Sequence, residues 1–88
     1  MSNMWYVYVL WSKRDRKLYI GCTNDLKKRL ILHNKGEIPA TKFRRPLIPI
    51  HYEAYLNKYD AYSKEKWLKT GWGRNHLKKI LVQTLKGL

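Results

Sequence analysis

An unbroken apolar run near the start of the chain most constrains the fold. Residues 5–11 read Trp-Tyr-Val-Tyr-Val-Leu-Trp, and aromatic and β-branched residues of this kind favour strands. A polar segment follows, and the next apolar residues are Leu-Tyr-Ile at 18–20. Two such runs separated by a short polar segment predict a β-hairpin. The turn contains no Asn-Gly or Asp-Gly pair, so the register stays undetermined, and so does whether Tyr8 lies directly opposite Tyr19.

After the hairpin, the sequence pattern predicts a helix, a third strand and then two more helices. Cap-forming oxygens at 23–25 and a stop at Gly36 predict a helix over 24–35. Alternation over 48–54, where Ile48, Ile50, Tyr52 and Ala54 form the apolar set, predicts a third strand, and its proline favours an edge or a strand start.

Two further helices are predicted beyond this strand. Asp60 is the predicted cap of the first, which ends at Gly-Trp-Gly, 71–73. Leucine and isoleucine at helical spacing over 77–85 predict the second. The sequence therefore predicts one α+β domain over 1–88. It contains a small central three-stranded antiparallel sheet flanked by three helices, in the order β-β-α-β-α-α.

The charge of the chain indicates a polyanionic partner. The formal net charge is +13, from 19 Lys and Arg against 6 Asp and Glu, and much of it lies in segments 23–45 and 64–79. Such an excess is typical of proteins that contact a phosphate backbone, whereas an unpartnered cationic surface would destabilise so small a fold by self-repulsion. The side chains expected to contact nucleic acid are Lys27, Lys28, Lys35, Lys42, Arg44, Arg45, Lys69 and Arg74.

Other classes of protein are not supported. The longest apolar run is far shorter than the roughly 18 residues of a membrane span, and no signal-peptide pattern precedes it. The lone Cys22 and the scattered histidines lack the paired spacing of a zinc site, and no phosphate-binding P-loop motif occurs. We expect a cytoplasmic, nucleoid-associated protein with no membrane partner.

One carboxylate is predicted to face the interior. The other acidic residues fall in turns, at helix ends or, for Glu53, on the polar side of the third strand. Glu65 shares a helical stripe with Ala61 and Leu68, where an ionised group needs a compensating partner. Two partners are compatible with the sequence: Lys69 four residues later, or one hard cation such as Mg²⁺ that is also held by waters and a substrate phosphate.

Four more side chains join Glu65 as candidates. Tyr8 and Tyr19 are expected on paired strands, so both hydroxyls can meet at one site, although stacking of single-stranded bases is a competing use. Arg29 and His33 lie four residues apart on the inner edge of the first helix. Each alone is typical of a structural role, but together the five form a constellation.

At these residues the sequence resembles the GIY-YIG nuclease superfamily. Tyr6-Val7-Tyr8 stands where the family has Gly-Ile-Tyr, and Tyr19-Ile20-Gly21 matches Tyr-Ile-Gly. Residues 24–33 resemble the family's arginine helix, and 61–69 resemble the helix that carries its metal-binding glutamate. The sequence departs from the family in two places: Tyr6 replaces the first glycine, and Asn75 is only the nearest counterpart of the late active-site asparagine.

The resemblance is strongest to the short stand-alone bacterial group related to the N-terminal nuclease domain of the excision-repair C subunit. It implies an endonuclease that uses one Mg²⁺ or Mn²⁺ ion to hydrolyse DNA phosphodiester bonds, directed by DNA structure in repair or recombination. The active-site residues that it implies are Tyr8, Tyr19, Arg29, His33 and Glu65, with Glu65 as the metal ligand. Two alternatives stay open: a non-catalytic DNA- or RNA-binding module, and a nuclease subunit that a protein partner targets.

Overall fold

The computed structural model describes residues 3–88, and its centre is a three-stranded antiparallel sheet. The strands are β1 (Trp5–Ser12), β2 (Leu18–Thr23) and β3 (Leu47–Tyr55), arranged in the order β2-β1-β3. The apolar run is thus the central strand, which needs apolar residues on both faces. The predicted hairpin and the predicted edge position of β3 are confirmed.

Four helices accompany the sheet: α1 (Leu26–Lys35), α2 (Lys58–Leu68), α3 (Gly71–Ile80) and α4 (Val82–Lys86). The α+β class and the order β-β-α-β-α-α are confirmed. The last predicted helix is divided, because Leu81 leaves helical geometry at φ −109° and ψ 23° and α4 follows as a separate short turn. Between residues 3 and 88, no helix is long and apolar enough to cross a membrane.

The sheet carries a core on each face. Alternation along β1 sends Val7 and Val9 to one face and Tyr8 and Leu10 to the other. The first face, called the α2 face, packs against Ala61 and Leu68 of α2 and Leu77 of α3. The second, called the α1 face, packs against Leu26 and Leu30 of α1. Helices therefore approach β1 and β2 from both sides.

The helix boundaries correct three predictions. Helix α1 begins at Leu26, because Asp25 is its cap and accepts a hydrogen bond from the Lys28 amide. Asn57, not Asp60, caps α2 by accepting from the Tyr59 amide. Thr70 caps α3, so the Gly-Trp-Gly segment begins α3 and does not end α2. In each case a side-chain oxygen that accepts from an amide of the first turn fixes the start of the helix.

A bulge in β3 reverses the predicted alternation of that strand. Val9 pairs with His51 whereas Leu10 pairs with Pro49, so Ile50 is an extra residue. After the bulge, the side chain of His51 is partly buried. The side chain of Tyr52, which was predicted to lie on the buried face of the strand, is 59% exposed. Ala54 is exposed for the same reason.

We expect Gly73→Ala to destabilise the fold, because a Cβ atom at this position would lie 2.2 Å from the Trp67 carbonyl oxygen and 2.4 Å from Leu68 Cα. These are backbone atoms, so α2 and α3 must move apart, at a cost of about 1–3 kcal/mol. Urea unfolding measures the loss. Gly71→Ala is the control: its Cβ meets nothing within 4 Å, and the free energy of unfolding should stay constant or rise by at most about 1 kcal/mol. Equal stability of the two variants would contradict the close helix packing.

Candidate active site

The site begins where the ring of Tyr8 crosses Gly21. Tyr8 and Gly21 are paired across β1 and β2, and a Cβ atom on Gly21 would lie 2.4 Å from the Tyr8 hydroxyl oxygen. Only glycine leaves room for this crossing. Since β2 is an edge strand, the phenol hydroxyl is carried toward the open edge of the sheet.

The register also places Tyr19. It pairs with Leu10, two positions along from the Tyr8–Gly21 pair, so the two tyrosines share the α1 face without being directly opposite. Their ring centroids are 6.4 Å apart. Both phenols therefore belong to one site, which the turn sequence alone did not determine.

His33 joins the tyrosines from α1. It is fully buried, and its Nε2 atom lies 2.8 Å from the Tyr8 hydroxyl oxygen. Its ring also packs edge-on against Tyr19, with centroids 5.1 Å apart. On the other side, His33 Nδ1 lies 2.7 Å from the hydroxyl oxygen of Thr41, in the loop between α1 and β3. Thr41 was not among the predicted site residues, because no periodicity marks a residue in a loop.

Burial shifts the acid-base properties of this pair. It raises the pKa of the Tyr8 hydroxyl far above its usual value, Tyr19 and Glu65 raise it further, and the positive charge of Arg29 acts in the opposite direction. Burial also lowers the pKa of His33 to about 4, with a smaller contribution from Arg29. At neutral pH the imidazole is therefore neutral and the phenol is protonated.

Arg29 and Glu65 approach the same edge of β2 from opposite faces of the sheet. Arg29 lies on α1 and Glu65 on α2, and the charges of both act on Tyr8 and on Cys22 of β2. The side chain of Glu65 is 23% exposed, and its Oε2 atom accepts a hydrogen bond from Lys69 Nζ at 3.0 Å. The ion pair that the sequence offered as one alternative is thus formed, and it leaves Oε1 without a hydrogen-bond partner among residues 3–88.

Glu53 corrects the expectation that Glu65 is the one inward carboxylate. The bulge turns Glu53 toward the α2 face, where its side chain is also 23% exposed. It accepts from the Tyr55 hydroxyl at 2.6 Å, from Lys64 Nζ at 3.2 Å and from His51 Nε2 at 3.1 Å. These three donors take three of the roughly four acceptor positions of the carboxylate and reach both of its oxygens, whereas Glu65 keeps one oxygen entirely free of hydrogen bonds within residues 3–88.

Most of the basic side chains predicted to contact nucleic acid are exposed. Arg44 is the exception: its Nε atom donates to Asp15 Oδ2 at 2.5 Å and its Nη2 atom to the Leu18 carbonyl at 3.2 Å, which ties the loop to the hairpin. This bond from Arg44 also lowers the pKa of Asp15. Asn75 is exposed on α3. The exposed members of the basic set are Lys27, Lys28, Lys35, Lys42, Arg45, Lys69 and Arg74.

The protein donor set suits a hard, well-hydrated cation better than a structural metal. Among residues 3–88, no three His, Cys, Asp or Glu side chains cluster as a metal cage. A site with one carboxylate, Glu65, leaves most coordination positions to water and substrate oxygens, as Mg²⁺ prefers. The free Oε1 atom of Glu65 fits this arrangement.

Comparison with known proteins identifies the family of this chain. A UPF0213 protein from Pediococcus acidilactici is 38% identical over 82 residues, which cover 88% of this chain and 81% of the relative. One from Clostridium perfringens is 37% identical over 82 residues, covering 92% and 87%. One from Bacillus pumilus is 43% identical over 70 residues, covering 78% and 69%. No solved structure matches the chain. The family model described as the GIY-YIG catalytic domain matches residues 4–78, and the chain therefore belongs to the GIY-YIG family.

Proposed function

We propose that this protein is an endonuclease that hydrolyses DNA phosphodiester bonds with the help of one Mg²⁺ or Mn²⁺ ion. The observation that carries the proposal is that Arg29 and Glu65 both lie near enough to Tyr8 for their charges to shift the pKa of its hydroxyl, Arg29 downward and Glu65 upward. A phenol, a guanidinium and a carboxylate are groups that can activate water, bind a phosphate and hold a cation. Membership of a family defined by a catalytic domain supports the same activity.

Arg29 is the proposed phosphate contact. Its planar guanidinium can donate two parallel hydrogen bonds to the oxygens of a phosphodiester and offset the charge that grows on them during attack. Its position on α1, only partly exposed, lowers the local dielectric and strengthens this interaction.

Tyr8 is the proposed base. In the reaction a water oxygen forms a bond to phosphorus, and the water proton passes to the Tyr8 oxygen. The bond from phosphorus to the leaving sugar oxygen breaks, and that oxygen takes a proton from solvent. Because burial favours the protonated phenol, Tyr8 must first lose its proton, and the Arg29 charge assists that loss. Tyr19, beside Tyr8, is proposed to position the water or the phosphate.

Glu65 is the proposed metal ligand. A bound divalent cation supplies Lewis-acid stabilisation of the negative charge on the phosphate and on the leaving oxygen. The carboxylate can hold a cation through Oε1 while Oε2 keeps its hydrogen bond to Lys69.

A non-catalytic DNA- or RNA-binding module is the second candidate. The Glu65–Lys69 ion pair favours it, because the carboxylate already has a compensating charge at 3.0 Å without any metal. In both cases nucleic acid is the partner, which supports a cytoplasmic protein at the nucleoid. We propose that the enzyme recognises the structure of its DNA substrate, and not its sequence, during repair or recombination. A protein partner is proposed to bring it to that substrate.

Nucleic-acid affinity should fall steeply with salt, because the contacts are to phosphates. Each neutralised phosphate contributes about −0.9 to the slope of log K against log salt on duplex DNA. Lys27→Ala combined with Lys28→Ala should therefore make the slope shallower by up to about 2, as measured by fluorescence anisotropy in EDTA. Lys86→Ala in α4 is the matched control and should leave the slope unchanged. An affinity independent of salt would contradict any nucleic-acid function.

Arg29→Lys should reduce cleavage while metal-free DNA binding hardly changes. The charge is kept, but the two-pronged contact is lost, which should lower the rate about 10- to 100-fold. Single-turnover nicking of a labelled plasmid measures the rate. Arg14→Lys, the same change in the hairpin turn, is the control. If Arg29→Lys cuts as fast as the wild type, Arg29 is not the phosphate contact.

Glu65→Gln and Lys69→Ala distinguish the nuclease from the binding module. If Glu65 holds a metal ion, Glu65→Gln should abolish Mg²⁺-dependent nicking by orders of magnitude, whereas Lys69→Ala keeps the ligand and retains nicking at saturating DNA. If the pair is only structural, each change costs a few tenths of a kcal/mol of stability and nothing more. Both variants are assayed at equal folded fraction, with flap, junction, duplex and single-stranded substrates. Wild-type nicking by Glu65→Gln would rule out the proposed mechanism.

A further inference from the structure

A small cavity lies between the hairpin and the last two helices, on the α2 face of the sheet. It has a volume of about 250 Å³. Its apolar wall consists of Trp11 and Leu18, which pair across β1 and β2, and of Leu85 from α4. Four basic side chains complete the lining: Arg16 and Lys17 from the hairpin, and Arg74 and Lys78 from α3. None of the lining residues belongs to the proposed catalytic set, so the cavity is a separate feature of the fold.

The four cations of the cavity have no acidic partner. No Asp or Glu lines the cavity, and within residues 3–88 none of the four forms a salt bridge. Asp15, the acidic residue next to Arg16 in the sequence, is paired with Arg44. Arg74 and Lys78 are four residues apart on one helix, a spacing at which like charges repel. An anion in the cavity would compensate this concentration of positive charge.

The Arg16 guanidinium is held in place beside the apolar wall. It lies 5.5 Å from the centroid of the Trp11 ring, within the range of a cation–π interaction. Its Nη2 atom donates a hydrogen bond to the Leu88 carbonyl at 3.3 Å. A guanidinium has five N–H donors, so this hydrogen bond leaves others for a bound anion. The group that would contact the anion is therefore positioned before the anion binds.

The size and the wall of the cavity restrict the kind of anion. A volume of about 250 Å³ lies below the roughly 300–1,000 Å³ of sites for drug-sized ligands, so the cavity admits one small group and excludes a duplex. A bare inorganic anion gains nothing from an indole ring and two leucine side chains, whereas a sugar and a base bury apolar surface against them. Aromatic rings beside basic groups are the usual means of binding single-stranded nucleic acid.

We propose that this cavity binds one nucleotide of a single-stranded segment of nucleic acid, with its phosphate among the four cations and its sugar and base against the Trp11 wall. The cations supply affinity that falls with salt, and the apolar wall selects a nucleotide that is not paired. Nucleic acid is favoured over an acidic peptide, because the net charge of +13 extends far beyond the cavity and matches a regular array of phosphates.

The cavity lies along β2 from the proposed catalytic centre. The Trp11–Leu18 pair is three positions from the Tyr8–Gly21 pair in the same ladder, which is about 10 Å at roughly 3.3 Å per residue. One strand of a duplex advances about 3.4 Å per nucleotide, so about 10 Å corresponds to about three nucleotides. The unpaired nucleotide therefore lies a few positions from the bond that is cut. This placement rests on the proposed nuclease function, whereas binding in the cavity does not require cleavage.

Matched pairs of lysines test the cavity. Lys17→Ala with Lys78→Ala removes two cations of the lining, and Lys13→Ala with Lys79→Ala removes two exposed cations of the same hairpin and the same helix. In EDTA, the affinity of the cavity variant for a single-stranded oligothymidylate should fall about 10-fold, and its salt slope should become shallower by up to about 1.4, from two contacts at about 0.7 each.

The controls separate a site from general attraction between charges. The Lys13→Ala, Lys79→Ala variant should bind the single strand nearly as the wild type does, and the cavity variant should keep its affinity for a blunt duplex. Both variants are compared at equal folded fraction by fluorescence anisotropy. An equal loss of affinity in the two variants, or an equal loss for single strand and duplex, would overturn the proposal.

Nuclear magnetic resonance identifies the chemistry of the ligand. Thymidine 5′-monophosphate should shift the indole N–H resonance of Trp11 and the methyl resonances of Leu18 and Leu85. Inorganic phosphate and thymidine, each at the same concentration, should shift them less. The same shifts with phosphate alone would mean an adventitious ion only, and the same shifts with a glutamate pentapeptide would mean a site for acidic peptides. Either result would overturn the proposal.

The nucleotide site and the nuclease function fail separately. If the cavity binds thymidylate and the oligonucleotide but no DNA is cut, the nuclease function fails and the nucleotide site stands. If DNA is cut and the two lysine variants bind the single strand equally well, the nucleotide site fails alone. If the wild type binds neither thymidylate nor any nucleic acid, both fail.

Discussion

The whole site depends on one steric constraint, the passage of the Tyr8 ring over Gly21. A side chain at position 21 would occupy the space of the phenol hydroxyl, 2.4 Å away. With glycine there, a residue of the central strand reaches the free edge of the sheet, while its backbone keeps the rigidity of a strand paired on both sides. The Tyr-Ile-Gly motif therefore has a geometric cause. Its tyrosine, Tyr19, supplies one phenol of the site, and its glycine, Gly21, leaves the space that the Tyr8 ring occupies.

The two-faced sheet explains how groups distant in sequence meet at this edge. Helix α1 contributes Arg29 and His33 from one face, and α2 contributes Glu65 from the other. Each helix is fixed by its own apolar contacts with β1, so the guanidinium and the carboxylate are held without contacting one another. The α1–β3 loop adds the third support, because Thr41 within it holds the buried imidazole.

The elements and their order could be predicted because each carries a strong local pattern: the apolar run of β1, the cap and αL glycine of α1, and the helical spacing over 77–85. What could not be predicted depended on contacts between distant residues. The bulge at Ile50 follows from pairing with β1, and it moved Glu53 from the expected polar side to a half-buried cluster. The five candidate residues were predicted from their places on strands and helices, and the family resemblance supplied their roles. Thr41 lies in a loop with no pattern, and only its contact with His33 places it at the site.

The bonds of Arg44 have a consequence for association. An edge strand with free carbonyls invites another strand to pair with it, and proteins avoid this with charges, prolines and bulges. On β2, the Arg44 guanidinium covers the Leu18 carbonyl and is anchored by Asp15; on β3, Pro49 and the bulge interrupt the opposite edge. Each margin of the sheet thus carries a feature that disfavours pairing with a further strand. The guanidinium that holds the α1–β3 loop against the hairpin therefore also works against the addition of a fourth strand beside β2.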